Sequence, residues 1–305
     1  MDRNEYHRPV LAETVVEMLR PVREGIVIDA TFGGGGHTKR LLEAIGGDVT
    51  IVGIDRDPAA RAQAEQIGVT LLSGDFGDFD RLLDEAGIGQ ISGVLFDFGI
   101  SSRQVDDPAR GFSYRQDGPL DMRMDPTRGA TAADLVNTAD PRELARILRV
   151  YGEEPLAERI AAAIVAGRPY RRTLELAEVV ASSVPAARRR VGHPARKTFQ
   201  ALRIAVNGEL EAVRNGLDQA LARLSPGGRC VTIAYHSLED RIVKQRFADG
   251  ARGCTCPPEL PVCGCGATPQ LRVITPRAVK PTPEEVESNP RSRSAVLRAV
   301  EKVAA

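Results

Sequence analysis

Four consecutive glycines, Gly33-Gly34-Gly35-Gly36, follow the apolar run Ile26-Val27-Ile28 and its closing Asp29, and lead into His37 and Thr38. A strand, a glycine turn and a helix start are how a parallel α/β sheet cradles a nucleotide-like cofactor. Glycine accepts positive φ and lets a ligand come close to the backbone. Asp55 closes the next apolar run, about 20 residues past the glycines, where such folds place a carboxylate for ribose hydroxyls. Gly74-Asp75-Phe76 follows a third run, where Phe76 is placed to pack on an adenine ring, and Asp97 ends a fourth. Asp29, Asp55, Asp75 and Asp97 thus sit at or just past strand ends, where ligands of open parallel sheets bind. A turn or cap aspartate accounts for any one of them, and less easily for all four.

The loop does not suit a dinucleotide. A G-x-G-x-x-G fingerprint begun at Gly33 meets Thr38 at its last position, and one begun at Gly34 meets Lys39. No G-K-[ST] phosphate loop occurs either. A looser turn holding a methionine tail and a ribose fits better. The plain alternative is a turn that only connects elements, and Asp55 counts against it.

The elements that must carry these residues are legible. Ile26–Asp29, Thr50–Ile54, Val69–Leu72 and Gly93–Phe98 read as strands, with helices starting at Lys39, Pro58 and Asp80 between them. This alternation means parallel strands with crossover helices. From about 103 to 198 no convincing strand appears. Leu144, Ile147, Leu148 and Tyr151 instead fall at helical spacing, and Leu156–Val165 and Leu174–Ser183 read likewise. Apolar residues from Phe199 to Leu224 then step by three or four, predicting one long helix. A strand at 230–235, a helix over 238–247 and strands at 271–275 and 295–300 follow, while Pro276–Pro290 reads as a surface connection. About seven strands, mostly parallel and doubly wound, with an inserted helical domain, is the class I S-adenosylmethionine-dependent methyltransferase fold. The expected division is a methyltransferase domain over 1–105 and 199–305, and a helical substrate-recognition domain over 106–198.

The formal charge of zero hides an asymmetry. Residues 1–100 hold 9 Lys/Arg against 17 Asp/Glu, and the rest holds 32 against 24. One part suits a small cofactor and the other a polyanion. Between Arg168 and Lys197 lie eight Lys/Arg against Glu175 and Glu178, including Arg188-Arg189-Arg190 and Arg196-Lys197 on either side of His193-Pro194. Phosphate contacts of this kind give salt-dependent affinity. A solvated basic loop is the alternative. His236 ends the fifth strand and either faces the crevice or caps the next helix, with Ser237 as N-cap. Cys254, Cys256, Cys263 and Cys265 form C-x-C…C-x-C, a set that could hold zinc tetrahedrally, against cysteines of a surface loop. The N-terminus has neither a signal-peptide core nor a transit composition, and no apolar run reaches the roughly 20 residues of a membrane span. A cytoplasmic protein is expected, and the oligomeric state is not legible.

The chain resembles the bacterial 16S ribosomal RNA cytosine-N4 methyltransferases, the MraW/RsmH family. The matching segments include HRPVL from His7, DATFGGGGH from Asp29, GIDRDP from Gly53 and DFGISSRQVDD from Asp97. Further matches are RGFSYRQDGPLDMRMDP from Arg110, HPARKTFQALRIAVNGEL from His193, YHSLEDRIVK from Tyr235 and NPRSRSAVL from Asn289. The resemblance spans nearly the whole chain. It implies that Gly35, Gly36, His37, Asp55, Phe76, Asp97 and Gln104 contact S-adenosylmethionine. It further implies methyl transfer to N4 of a cytidine in 16S rRNA, at the decoding centre of the small ribosomal subunit. His37 has a second reading as an ordinary first-turn helix residue. Asp97 is the expected catalytic carboxylate, accepting from the amino group and later taking its proton. Arg196, Lys197 and His236 are the expected substrate contacts. Base amino methyltransferases often carry D-P-P-Y or N-P-P-Y here, whereas this chain reads Asp97-Phe98-Gly99-Ile100, which leaves open how the amine is held. Cytosine C5 chemistry is disfavoured, because no Pro-Cys pair occurs. The rival readings are a nucleotide-dependent oxidoreductase on a similar sheet and a non-catalytic RNA-binding protein with a zinc loop.

Overall fold

The computed structural model describes residues 9–186, 192–253, 256 and 268–304. They form two compact units, Met1–Gly99 with Leu210–Ala305, and Ile100–Glu209.

The first unit is built on a seven-stranded sheet. Its strands are β1 (Glu24–Asp29), β2 (Asp48–Asp55), β3 (Thr70–Ser73), β4 (Ile91–Asp97), β5 (Leu224–Ala234), β6 (Leu271–Val273) and β7 (Val296–Lys302). They lie in the order β3-β2-β1-β4-β5-β7-β6. The first five are parallel, and β7 pairs antiparallel with both β5 and β6. This is the class I methyltransferase fold, as the strand count predicted.

Both faces of the sheet are covered, which is why its strands read as continuous apolar runs rather than alternating ones. Ile28, Val52, Ile54, Val94, Phe96 and Cys230 point into one core, while Val27, Ile51, Leu95, Val231 and Ile233 point into the other. Helices α1 (Ala12–Leu19) and α2 (Gly36–Ala44) cover the second face through Val15, Val16, Leu19 and Leu41. The first face is covered by α4 (Phe79–Glu85), α11 (Glu209–Arg223) and α12 (Ser237–Ala251). Between α2 and α4 runs α3 (Ala60–Ile67), whose Ala60 and Ala64 pack on Phe32. The proline-rich stretch expected to be a plain connection contains a helix, α13 (Pro283–Ser288), started by a Thr282 cap and Pro283 at its first position.

The second unit is helical: α5 (Ser102–Asp106), α6 (Ala132–Thr138), α7 (Pro141–Gly152), α8 (Ala157–Ala166), α9 (Thr173–Ser183) and α10 (Arg196–Asn207). Leu144, Ile147 and Leu148 of α7 are buried against α8 and α10, as their spacing predicted. The expected single helix from Phe199 to Leu224 is two helices. Gly208 adopts φ 62° and ends α10: its own N–H still reaches the Ile204 carbonyl, but the left-handed turn carries the chain after it out of the helical ladder, and α11 starts at Glu209. The segment between α5 and α6 is a packed loop. Leu120, Met122 and Met124 are buried in it, and Asn207 holds it by donating to the Met122 carbonyl and accepting from the Met124 N–H, both at 2.8 Å. Among the described residues no helix is long and apolar enough to cross a membrane.

Candidate active site

The carboxyl edge of the sheet carries the acids in spatial order: Asp75 just past β3, Asp55 on β2, Asp29 on β1 and Asp97 on β4. Their environments separate their roles.

Asp55 fastens the glycine loop. Its Oδ2 accepts the Gly33 N–H at 2.6 Å and its Oδ1 accepts the Asp57 N–H at 2.7 Å. Phe32 lies beneath the loop: a Cβ at Gly53 would come within 2.7 Å of its ring, and one at Gly35 equally so. Gly33 (φ 54°) and Gly35 (φ 72°) are left-handed, and Gly35 is the N-cap of α2. Above Gly34 a Cβ would meet nothing within 4 Å, so the backbone there is open to a ligand. Burial raises the Asp55 carboxyl to about 6, although the two N–H donors oppose it.

Asp29 is fully enclosed. It accepts from Thr38 Oγ1 at 2.6 Å, tying the end of β1 to the first turn of α2, and burial pushes its carboxyl up. Asp75 accepts the Gly77 N–H at 2.8 Å and pairs with Arg56 at 2.6 Å. That leaves Phe76 half-buried, edge-on to Phe96 at 5.7 Å and tilted to Phe98 at 5.9 Å.

Asp97 stands between three groups. Tyr235 Oη donates to its Oδ1 at 2.8 Å, and His37 Nδ1 lies 3.5 Å from its Oδ2. Its backbone N–H donates to Thr31 Oγ1 at 2.6 Å. The side chain is 24% exposed. Burial raises its carboxyl to about 6, opposed by His37 and by the Tyr235 hydroxyl. Buried His37 also lies 2.9 Å from the Val10 carbonyl through Nε2, so it does more than start a helix.

Gly35, Gly36, His37, Asp55, Phe76 and Asp97 are thus all placed at one sheet edge. Gln104 belongs to the helical unit, where its Oε1 accepts the Ser101 N–H at 3.1 Å in a capping box that starts α5. Arg196 is exposed at the start of α10, and Lys197 donates to the Glu153 carbonyl at 2.7 Å, closing the carboxyl end of α7. Arg168 is likewise spent on the Val136 and Ala139 carbonyls, and Arg172 on Asp117. Arg188–Arg190 lie outside the described residues.

His236 is itself the N-cap of α12, where Ser237 had been expected. Its Nδ1 accepts the Glu239 N–H at 3.4 Å, and Glu239 returns a bond to the His236 N–H. Its Nε2 stands 3.1 Å from Glu239 Oε1 without hydrogen-bond alignment. Of the four cysteines of the zinc reading, Cys254, Cys263 and Cys265 lie outside the described residues, and Cys256 is half-buried. Sequence reasoning passed over Tyr235 and Thr31; each follows a strand end on this edge, and that position was the available signal.

The model of the MraW methylase family matches residues 4–303. The "Ribosomal RNA small subunit methyltransferase H" of Thermomicrobium roseum is 52% identical, over 98% of this chain and 94% of its own. The protein of the same name from Heliobacterium modesticaldum is 49% identical, over 98% and 99%. Among solved structures, a putative rRNA-methylase from Clostridium thermocellum aligns at a TM-score of 0.45 with 12% identity, covering 97% of this chain and 100% of that one. A full-length match to the family model, together with relatives near one-half identity, shows that the chain belongs to the MraW methylase family.

Proposed function

We propose that this protein transfers a methyl group from S-adenosylmethionine to N4 of a cytidine in the 16S rRNA of the small ribosomal subunit, at the decoding centre. The observation that carries the cofactor assignment is the glycine loop, pinned to Asp55 and open above Gly34. Each oxygen of Asp55 spends one lone pair on a backbone N–H and keeps another for a ribose hydroxyl. Phe76 offers an apolar surface for adenine, and the loop with Gly35, Gly36 and His37 lines the place of the methionine tail. Gln104 is the further cofactor contact that the resemblance implies.

When bound, the cofactor supplies a methyl group on a cationic sulfur that leaves neutral, so no acid is needed to expel it. The protein's tasks are alignment and proton removal. Asp97 accepts a hydrogen bond from the amino group, localising its lone pair, and takes the proton that the nitrogen sheds. Arg188–Arg190 and Arg196 contribute phosphate contacts, as does Lys197 with the two ammonium hydrogens that its bond to the Glu153 carbonyl leaves over, and His236 closes the base pocket. Specificity then comes from splaying the target base out of the RNA, since base edges inside RNA helices are poorly accessible. The names of the relatives support ribosomal RNA of the small subunit as the substrate.

The test is nucleoside mass spectrometry of 16S rRNA from cells with and without the active protein, complemented with Asp97→Ala. N4-methylcytidine that appears with the wild type alone is the expected result. A methyl group on C5, or tight NAD(P) binding with none for S-adenosylmethionine, overturns the reading.

A further inference from the structure

Tyr235 follows the last residue of β5, beside the end of β4 that carries Asp97. Its hydroxyl donates to Asp97 Oδ1 at 2.8 Å, while the other carboxylate oxygen faces His37 Nδ1 at 3.5 Å. His37 Nε2 lies 2.9 Å from the Val10 carbonyl. A carbonyl only accepts, so Nε2 bears hydrogen and Nδ1 is the nitrogen turned to Asp97. In the neutral ring that Nδ1 has no hydrogen to give, so Tyr235 Oη, from an element other than the one that carries Asp97, is the donor that in either state of the ring holds the carboxylate. Two further acids face it, Asp29 from β1 and Glu239 from α12, and both favour its protonated form. Glu239 and Glu285 also face Tyr235. Against these negative neighbours, a positive charge on His37, when the ring carries one, and the Tyr235 hydroxyl in either case favour the charged carboxylate.

We propose that Tyr235 is a positioning residue for methyl transfer: its hydroxyl keeps Asp97 ionised and aimed at the nitrogen being methylated. This rests on the function proposed above. In the step it serves, the nitrogen lone pair forms the new N–C bond and the C–S bond breaks with its pair going to sulfur. One proton then passes from nitrogen to Asp97 and on to solvent.

The first measurement needs no cofactor. Protein labelled with ¹³C in its aspartate carboxyl groups is titrated by NMR, with the Asp97 signal identified by its loss in Asp97→Asn. The Asp97 midpoint in Tyr235→Phe is expected about one pH unit above the wild type, a tenfold change in proton affinity. Site-specific 3-fluorotyrosine at position 235 keeps the ring and is a stronger donor, so the midpoint falls; this variant serves if Tyr235→Phe does not fold. The acidic limb of methyl transfer is expected to move with the midpoint. With a carboxyl near 6 in the wild type, Tyr235→Phe then loses about fivefold at pH 6 and recovers above pH 8, with an unchanged KM for the cofactor. Midpoints unmoved in both variants overturn the proposal, as does a moved midpoint with an unmoved limb or a loss equal at every pH. If the wild type methylates no ribosomal RNA, the functional reading fails, and an unmoved midpoint still separately overturns the hold of Tyr235 on Asp97.

Discussion

Replacing Asp55 by alanine tests whether one carboxylate both builds the glycine loop and binds through it. Its two oxygens accept the Gly33 and Asp57 N–H groups at 2.6 and 2.7 Å, joining the loop after β1 to the turn after β2. Bonds to a charged acceptor contribute roughly 1.5–3 kcal/mol each, and these are only partly shielded from water, so Asp55→Ala is expected to cost about 2–4 kcal/mol of stability in the cofactor-free protein. Asp55→Asn keeps one acceptor oxygen and turns an NH₂ toward the other donor, so it recovers at most about half of that. Urea unfolding monitored by circular dichroism reads this as a lower midpoint at constant slope. Isothermal titration with S-adenosylhomocysteine reads the second role, where unpaired ribose hydroxyls and a loosened loop are expected to weaken binding about 5- to 150-fold, or 1–3 kcal/mol. A midpoint unchanged to within about 0.5 kcal/mol refutes the pinning of the loop. Unchanged affinity in a destabilised protein refutes the ribose contact instead.

A methyl group at Gly35 has nowhere to go. Its φ of +72° disfavours any side chain, and a Cβ would lie 2.3 Å from Ile67 and 2.7 Å from Phe32, so Gly35→Ala is expected to lose about 2–3 kcal/mol of stability along with cofactor binding. Full stability with normal affinity would mean that the loop adopts another shape. The pH dependence of stability has a definite sign at Asp97. Its carboxyl is raised to about 6 when folded, so it holds a proton that the unfolded chain has lost from about pH 4 upward. That contribution is complete below about pH 4 and is lost as pH rises through 6, so the melting temperature of Asp97→Asn should fall less across this window than that of the wild type; parallel curves contradict it. On the RNA side, replacing Arg188–Arg190 with alanine should lower the slope of log affinity against log salt by about 2–3 while leaving S-adenosylhomocysteine affinity intact. An unaltered slope places the phosphate contacts elsewhere.

The sheet was legible because strands buried on both faces leave apolar runs, the first four of them closed by an aspartate or a glycine, and all seven strands overlap the predicted runs. Helices α7, α8 and α9 were legible from three- and four-residue spacing. The break at Gly208 was not, because the apolar stripe continues across it and a single left-handed residue leaves no mark on periodicity. DGPLDMRMDP lies in one of the segments that carry the family resemblance. Much of it turns out to build a loop: a Cβ at Gly118 would lie 1.8 Å from the Pro108 carbonyl, and Met122 and Met124 are core. In the site, the sequence by itself supplied the list of acids and the polyglycine turn, since residue type and strand end are local properties. It could not rank those acids. Only the folded chain brings Thr38 to Asp29, Gly33 to Asp55, and Tyr235 with His37 to Asp97, across separations of 9 to 138 residues. Whether a carboxylate is spent on structure or left for chemistry depends on which donors reach it in space.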